Sequence, residues 1–244
     1  MGRLVSGLQP VREAIRVHGS ALECVYVETG GAQSPQLEAV ARFAADQGAR
    51  VERVSRADLD RMAHGARHQG VIARARELVV HTIDALTVDK ATLVVALDEL
   101  EDPQNFGAVI RSAVALGATA IMWPEHRSAP LSPATFRASA GAVEHAQLYR
   151  VRNLVSALAD LRAAGVLVIG LDAAGDTPIG TADLSGPVAI VIGAEGKGLR
   201  KTVKRECDLL VRLPMSGAIS SLNASVAGAI ALYEVVRQRA LTPS

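Results

Sequence analysis

The sequence predicts an α/β protein whose larger part is built on a parallel β-sheet. Short apolar runs, typical of strands buried on both faces, recur through residues 91–244, and segments with helical spacing separate them. Residues 77–90 lack strong periodicity and precede this change of pattern. We therefore expect a small domain at residues 1–76, a linker at 77–90 and a larger domain at 91–244.

The first domain is predicted to be a small α/β unit. Helical spacing and β-branched runs predict alternating helices and strands over residues 10–17, 22–27, 36–46, 51–54, 57–63 and 70–73. Every lysine or arginine before Lys90 is an arginine. Arginine suits forked contacts with phosphate, whereas an ordinary solvated surface would carry the same residues, so both interpretations stay open.

The second domain is predicted to alternate strands with helices, which implies a parallel sheet. The strands are expected at residues 92–97, 119–123, 166–171 and 188–193, and the helices between them at 106–116, 133–140 and 154–163. A final helix is expected at residues 222–239. Its inner side is predicted to carry Val226, Ile230, Tyr233 and Val236.

Composition and charge narrow the classes of function. Hydrophobic residues make up 49% of the chain and charged residues 21%, as in a soluble globular protein, and the longest apolar runs are too short to span a bilayer. Aromatic residues make up only 3%, which argues against base stacking on an aromatic platform as the main contact with nucleic acid. The formal net charge of +1 argues neither for nor against an RNA partner.

Standard cofactor and metal motifs are missing from the sequence. It has no glycine-rich dinucleotide or P-loop signature and no cysteine cluster of the zinc type. His64 and His68 are four residues apart but flanked by glycines, so we expect no metal site there. Cys24 and Cys207 lie far apart, which indicates two inert thiols in a reducing, cytoplasmic compartment.

Three polar clusters follow predicted strands, where open α/β sheets bind their ligands. The first spans residues 98–111. Asp102 and Pro103 suit the start of a helix, but capping does not explain Asn105, Gly107 and Arg111 together. We expect Arg111 to be buried in an otherwise apolar helix and therefore to need a partner or a substrate.

The second cluster is residues 193–198, directly after the strand at 188–193. Its glycines can expose backbone amides to a ligand in a tight turn, although a simple strand-to-helix connection would look the same. Glu195 either caps the next helix or holds a ligand hydroxyl. Basic residues that follow are predicted to form a phosphate-contact surface: Lys197, Arg200, Lys201, Lys204, Arg205 and Arg212.

The third cluster is residues 213–225. Ser220, Ser221 and Asn223 are helix-capping residue types. The alternative interpretation is a polar loop of small residues around a ligand, and the spacing does not choose between the two.

The three clusters resemble the signature motifs of the SpoU branch of the SPOUT RNA methyltransferases. Residues 102–112 (DPQNFGAVIRS) resemble motif one, and residues 191–199 (VIGAEGKGL) resemble motif two. Leu213-Pro-Met and residues 221–227 (SLNASVA) together resemble motif three. GLQPV at residue 7 and HQGVIA at residue 68 are similar to the subgroup with an added N-terminal RNA-binding domain, which includes bacterial 23S rRNA guanosine 2′-O-methyltransferases.

This resemblance implies a fold, a cofactor and partners. The fold is a trefoil-knotted α/β catalytic domain with a parallel sheet, preceded by a small domain similar to the ribosomal protein L30e. The cofactor is S-adenosylmethionine, the substrate is RNA, most closely 23S rRNA, and the protein is a homodimer with its active site at the subunit interface. No metal and no membrane are implied.

The resemblance also assigns roles to individual residues. Gly193, Leu213 and Leu222 match positions that bind S-adenosylmethionine. The polar positions assigned to catalysis are matched by Asn105, Arg111, Glu195, Ser221 and Asn223, without departure from the family pattern.

The implied reaction is methylation of a ribose 2′-hydroxyl. A hydroxyl is a poor nucleophile unless its proton is removed or its oxygen is activated, and the three clusters contain no histidine. We expect a desolvated Arg111 to bind and activate the hydroxyl while Asn105 orients the ribose. Two alternatives remain: the same chemistry on tRNA or another rRNA site, and a non-catalytic RNA-binding assembly factor.

Overall fold

The computed structural model describes residues 2–29, 34–218 and 221–241. The chain divides into two compact units, residues 1–79 with 131–145 and residues 80–130 with 146–244.

The helices and strands follow one another along the chain. Up to residue 85 they are β1 (Arg3–Ser6), α1 (Leu8–His18), β2 (Cys24–Glu28), α2 (Pro35–Asp46), β3 (Val51–Val54), α3 (Arg56–Ala63), β4 (Val71–Ala75) and β5 (Val80–His81). They are followed by β6 (Leu93–Asp98), α4 (Pro103–Ala115), β7 (Ala120–Pro124), α5 (Pro133–Ala138), β8 (Leu148–Val151), α6 (Leu154–Ala163), β9 (Leu167–Leu171), β10 (Thr177–Pro178), β11 (Val188–Gly193), α7 (Lys201–Glu206), β12 (Leu209–Arg212) and α8 (Ala224–Leu241).

The first unit contains a four-stranded sheet in the order β1-β4-β2-β3. Helices α1 and α2 supply apolar side chains to one face, where Val25, Val27, Val71 and Ala73 lie. Helix α3 packs on the other face through Leu59 against a smaller apolar cluster. The predicted α/β unit is therefore confirmed, with β1 as an additional strand that the sequence pattern did not reveal.

Residues 131–145 belong to this first unit, although the expected boundaries assign them to the second domain. A buried ion pair and two contacts of histidine rings hold the segment in place. The carboxylate of Glu144, 1% exposed, pairs with Arg3 and lies 2.9 Å from His18 Nε2. His145 Nε2 lies 2.9 Å from Glu13 Oε2 on α1. Such long-range contacts leave no periodic signal in the sequence.

The second unit contains an eight-stranded sheet in the order β10-β12-β9-β11-β6-β7-β8-β5. Each of its strand pairs is parallel. The predicted parallel sheet is confirmed. The strands β8, β10 and β12 were not among the ranges expected, although the third cluster was expected to follow a strand, which is β12. The short strand β5 lies within the stretch interpreted as a linker, where it pairs with β8.

The sheet order brings the three polar clusters to one edge. The first cluster follows β6, the second follows β11 and the third follows β12, and β12, β9, β11 and β6 are consecutive neighbours. Because all four strands run in the same direction, the three connecting loops leave the sheet at the same edge.

The predicted inner side of the final helix is wrong. Val226, Ile230 and Tyr233 are 46%, 41% and 58% exposed, and Val236 is also exposed. The buried side of α8 instead carries Gly228, Ala231, Leu232 and Val235, and it packs against α4 and β11. A Cβ added at Gly228 would lie 2.5 Å from Ile192 Cδ1. The helix is apolar on two sides, and the close approach to β11 admits only the side with small residues.

Among the residues that the structure describes, no helix has the length and hydropathy needed to cross a membrane.

Candidate functional site

A cavity of about 610 Å³ opens at this edge of the larger sheet. Ligand-binding pockets typically have volumes of about 300–1,000 Å³. Its wall is formed by the ends of β9, β11 and β12, the turn after β11 and the start of α8. Of the eight residues assigned to catalysis or cofactor binding from the sequence, six line it: Gly193, Glu195, Leu213, Ser221, Leu222 and Asn223.

Asn105 joins the three clusters through side-chain hydrogen bonds. Its Nδ2 donates to Glu195 Oε2 at 3.0 Å, and its Oδ1 accepts from Asn223 Nδ2 at 2.8 Å. Asn105 is 7% exposed, so both halves of its amide are satisfied within the protein. The prediction that the clusters converge is confirmed.

The chain of hydrogen bonds from Glu195 through Asn105 to Asn223 is termed the relay. Two of its residues, Asn105 and Asn223, are positioned by the starts of helices. Asp102 caps α4 by accepting from the backbone nitrogens of Gln104 at 3.2 Å and Asn105 at 3.0 Å. Asn223 Oδ1 accepts from Ser225 N at 2.9 Å at the start of α8, while Asn223 Nδ2 remains directed to Asn105. Asn223 therefore caps α8, as one interpretation predicts, and bonds to Asn105 at the same time. Ser220, another of the predicted capping residues, lies outside the described residues.

The turn after β11 brings backbone atoms unusually close together. Gly198 N donates to Ala194 O at 2.8 Å, and Gly196 and Gly198 have φ values of +76° and +64°. A Cβ at Gly193 would lie 2.3 Å from the carbonyl carbon of Gly198. Gly193 is therefore required for the turn to form, and the turn presents Glu195 to the relay.

The basic stretch after this turn is only partly available to an RNA phosphate, which corrects the sequence expectation. Asp98, fully buried at the end of β6, accepts from Arg200 Nε at 2.7 Å and from Arg200 N at 2.8 Å. Lys204 pairs with Asp172, and Arg212 donates to the carbonyl oxygen of Gly175 at 2.8 Å. Three basic residues of the stretch are exposed: Lys197, Lys201 and Arg205.

Arg111 is exposed on α4, so the expectation that it is buried is wrong for the chain by itself. The buried side of α4 carries Phe106, Ile110 and Ala113, and Arg111 lies about 100° around the helix from Ile110. Arg111 is also about 9 Å farther along the helix axis than Asn105, at 1.5 Å per residue. It does not line the cavity.

Asp172 lines the cavity but belongs to none of the three motifs. It follows β9, and its Oδ1 accepts from Ala174 N at 2.9 Å. Burial by itself would raise the pKa of Asp172, but the hydrogen bonds from Lys204 and Ala174 outweigh it, and the pKa is lowered from its usual value. The sequence signal that could have identified Asp172 is its position directly after the strand expected at residues 166–171.

Several polar residues of the first unit have hydrogen-bond partners within the protein, so no ligand is needed to account for them. Arg53 makes a forked pair with Glu38 at 2.6 and 2.7 Å, which favours the solvated-surface interpretation for that arginine. His68 accepts from Gly70 N at 3.0 Å and lies 2.9 Å from Asp60 Oδ1. Over the described part of the chain, no three His, Cys, Asp or Glu residues cluster as a metal site would need.

Comparison with protein families identifies two matching segments. The SpoU rRNA Methylase family matches residues 92–233. A second family, described as RNA 2′-O ribose methyltransferase substrate binding, matches residues 4–79.

Individual proteins match over almost the whole chain. A protein of Mycolicibacterium vanbaalenii named as an uncharacterized tRNA/rRNA methyltransferase is 40% identical over 241 residues, 97% of this chain and 76% of the relative. The SpoU methyltransferase AviRb of Streptomyces viridochromogenes, solved with AdoMet, has a TM-score of 0.80 and 29% identity, covering 99% of this chain and 92% of that one. An AdoMet-bound rRNA methyltransferase of Sinorhizobium meliloti has a TM-score of 0.75 and 30% identity, covering 96% and 86%.

Proposed function

The chain belongs to the SpoU rRNA methylase family, and from this premise we propose that it transfers a methyl group from S-adenosylmethionine to a ribose 2′-hydroxyl of RNA. The observation that carries the proposal is the relay from Glu195 through Asn105 to Asn223. It ties all three motifs to the rim of a cavity large enough for a nucleoside cofactor.

The cavity suits S-adenosylmethionine in its chemistry. Apolar side chains on its wall include Leu171, Ile192, Val211 and Leu213, and two carboxylates, Glu195 and Asp172, also face it. When bound, the cofactor supplies a methyl group made electrophilic by its sulfonium. Gly193, Leu213 and Leu222 are the residues we assign to holding it, and Ser221 completes the polar side of the wall.

The acceptor side of the reaction depends on positioning. Asn105 is held by two hydrogen bonds, so the relay fixes the polar groups against which an acceptor ribose would dock. In methyl transfer the 2′-oxygen forms a bond to the methyl carbon as the carbon–sulfur bond breaks, and the hydroxyl proton leaves to water or to an RNA phosphate oxygen. Arginine is protonated at neutral pH, so we assign Arg111 to donating hydrogen bonds that hold the hydroxyl against the oxygen that takes its proton, which activates the hydroxyl.

We infer that two copies of the chain form the working enzyme. The exposed apolar stripe of α8 lies beside Ser112 of α4 in a surface groove that includes Val226, Ile230 and Tyr233. Removing exposed apolar surface from water is favourable by a free energy of about 25 cal/mol per Å². An exposed apolar stripe of this kind therefore favours association with a partner. Since Arg111 adjoins Ser112, a second copy on this groove would desolvate Arg111 and bring it to a subunit interface.

The dimer can be tested by placing a charge in the groove. Ile230→Glu should shift the protein to a monomer and abolish RNA methylation, because a carboxylate cannot be buried there without a partner. Val17→Glu, at a similarly exposed apolar residue on α1, should leave the dimer intact. Sedimentation velocity measures the oligomeric state of each protein. A wild-type protein that is monomeric at micromolar concentration would refute the proposed interface.

The substrate we propose is a guanosine of 23S rRNA, in the cytoplasm. The family is named for rRNA, the full-length match from Sinorhizobium meliloti is titled an rRNA methyltransferase, and residues 4–79 match a substrate-binding family for RNA 2′-O ribose methyltransferases. These matches, together with the resemblance of the three motifs, lead us to assign residues 1–76 to substrate binding, with an L30e-like fold, and residues 91–130 with 146–244 to a knotted catalytic domain.

The reaction itself is tested with purified protein, labelled S-adenosylmethionine and separate pools of unmodified rRNA and tRNA. We expect label in rRNA, and 2′-O-methylguanosine after digestion to nucleosides. Label only in tRNA would favour the alternative substrate. Cofactor binding without label in either pool would overturn the proposed activity in favour of an RNA-binding assembly factor.

A further inference from the structure

We propose that Asp172 is a cofactor-binding residue that accepts hydrogen bonds from the ribose hydroxyls of S-adenosylmethionine. This inference rests on the proposed function and extends it to a residue outside the three motifs. Asp172 lines the cavity together with Gly193 and Leu213, and its side chain is 14% exposed.

The position of Asp172 in the sheet separates it from the acceptor side of the site. Neighbouring strands lie about 4.8 Å apart. Asp172 directly follows β9. It is one strand from Gly193 at the end of β11 and two strands, about 10 Å, from Asp98 at the end of β6. The relay through Asn105 begins on the β6 side, so the reactive end of the cofactor belongs there. The part of the cofactor away from the acceptor therefore lies near β9 and β12.

The wall next to Asp172 is suited to a nucleoside. Leu171 precedes it and pairs in register with Val211 on the neighbouring strand β12, and Leu213 comes directly after that strand. These apolar side chains match the flat surface of a purine. A carboxylate at the border of an apolar wall is the arrangement by which an acidic residue holds a ribose beside its base, as in dinucleotide-binding sheets.

The carboxylate of Asp172 can accept further hydrogen bonds from a ligand. Its two oxygens receive one hydrogen bond from Ala174 N, at 2.9 Å, and one from Lys204. A carboxylate has about four acceptor positions, so acceptor capacity remains toward the cavity. The hydrogen bonds from Lys204 and Ala174 overcome the effect of burial and lower the pKa of Asp172, so it is ionised at neutral pH.

Lys204 disfavours one of the three kinds of hydrogen-bond donor on the cofactor. The cofactor carries a ribose diol, an adenine amino group and an ammonium group. An ammonium placed against Asp172 would lie beside the ammonium of Lys204, and like charges at such short range repel. Neutral donors carry no such penalty, and of the two neutral kinds the diol offers two adjacent hydroxyls to the remaining acceptor positions of one carboxylate.

The test is calorimetric titration with two ligands that share adenosine. S-adenosylhomocysteine carries the amino-acid tail, and 5′-methylthioadenosine lacks it. Asp172→Asn should weaken both ligands by the same factor, about 10–100-fold, because each loses hydrogen bonds to a charged acceptor. Loss confined to S-adenosylhomocysteine would show that Asp172 contacts the ammonium and would overturn the inference.

Two variants separate binding from loop stability. Lys204→Met breaks the ion pair but keeps the carboxylate, and it should weaken 5′-methylthioadenosine far less than Asp172→Asn does. Asp183→Asn removes an aspartate that bonds locally to Ser185, and it should change neither ligand. Equal losses in the Asp172 and Lys204 variants, or unchanged affinity in Asp172→Asn, would overturn the assignment. A wild-type protein that binds neither ligand would instead overturn the proposed function and this inference with it.

Discussion

Arg111→Lys is expected to lower the turnover number of RNA methylation by about 10²–10⁴-fold, the range typical for loss of help with a proton transfer. Lysine keeps the positive charge but loses the planar fork that can hold a hydroxyl and a phosphate oxygen together. Because Arg111 does not line the cavity, affinity for S-adenosylhomocysteine should stay unchanged. Single-turnover kinetics with saturating RNA, beside calorimetry with S-adenosylhomocysteine, measure the two effects separately.

The matched control is Arg152→Lys, at another exposed arginine of the same unit, which should retain normal turnover. Sedimentation of each variant establishes that the oligomeric state is preserved. If Arg111→Lys turns over at nearly the wild-type rate as an intact oligomer, Arg111 has no special part in activating the hydroxyl.

Asn105→Asp should break the relay with little change in side-chain shape. The substitution replaces the donor that lies 3.0 Å from Glu195 Oε2 with a carboxylate oxygen. At that distance two charges repel by about 1.4 kcal/mol in water and about 5.5 kcal/mol at an effective dielectric of 20. Turnover at neutral pH should therefore fall at least about tenfold.

The pH dependence distinguishes repulsion from misfolding. On acidification a proton shared by the two carboxyls restores a hydrogen bond, so the variant should recover part of its activity relative to wild type as the pH falls. Asn153→Asp changes an asparagine that caps α6 by accepting from Val155 N, a role that aspartate fills equally well, and it should behave as wild type. An Asn105→Asp enzyme with wild-type turnover across the pH range would show that the relay does not position the reaction.

Much of the catalytic unit was predictable because local patterns agreed with the final packing. Buried parallel strands appear as continuous apolar runs, as at β6 and β11, and helix starts carry their caps, as at Asp102. The convergence of Asn105, Glu195 and Asn223 followed from one rule, that parallel strands end at a common edge. The sequence contained no geometry for the hydrogen bonds among them.

The predictions that were wrong depended on tertiary packing, which local sequence patterns do not show. The interior side of α8 was set by the close approach of Gly228 to Ile192, which hydropathy cannot reveal when both sides of a helix are apolar. The expected burial of Arg111 assumed that an apolar helix is buried all round. Glu144 and Arg3 are 141 residues apart, and their buried pair places residues 131–145 in the first unit without any pattern visible along the chain.

The central claim is methyl transfer to a ribose hydroxyl at the site where Asn105, Glu195 and Asn223 meet. It is tested most directly by mapping 2′-O-methylation across 23S rRNA from cells that lack this gene. We predict that one guanosine loses its methyl group, that the wild-type gene restores it and that Asn105→Asp does not. A methylation map identical with and without the gene, in rRNA and tRNA alike, would contradict the account.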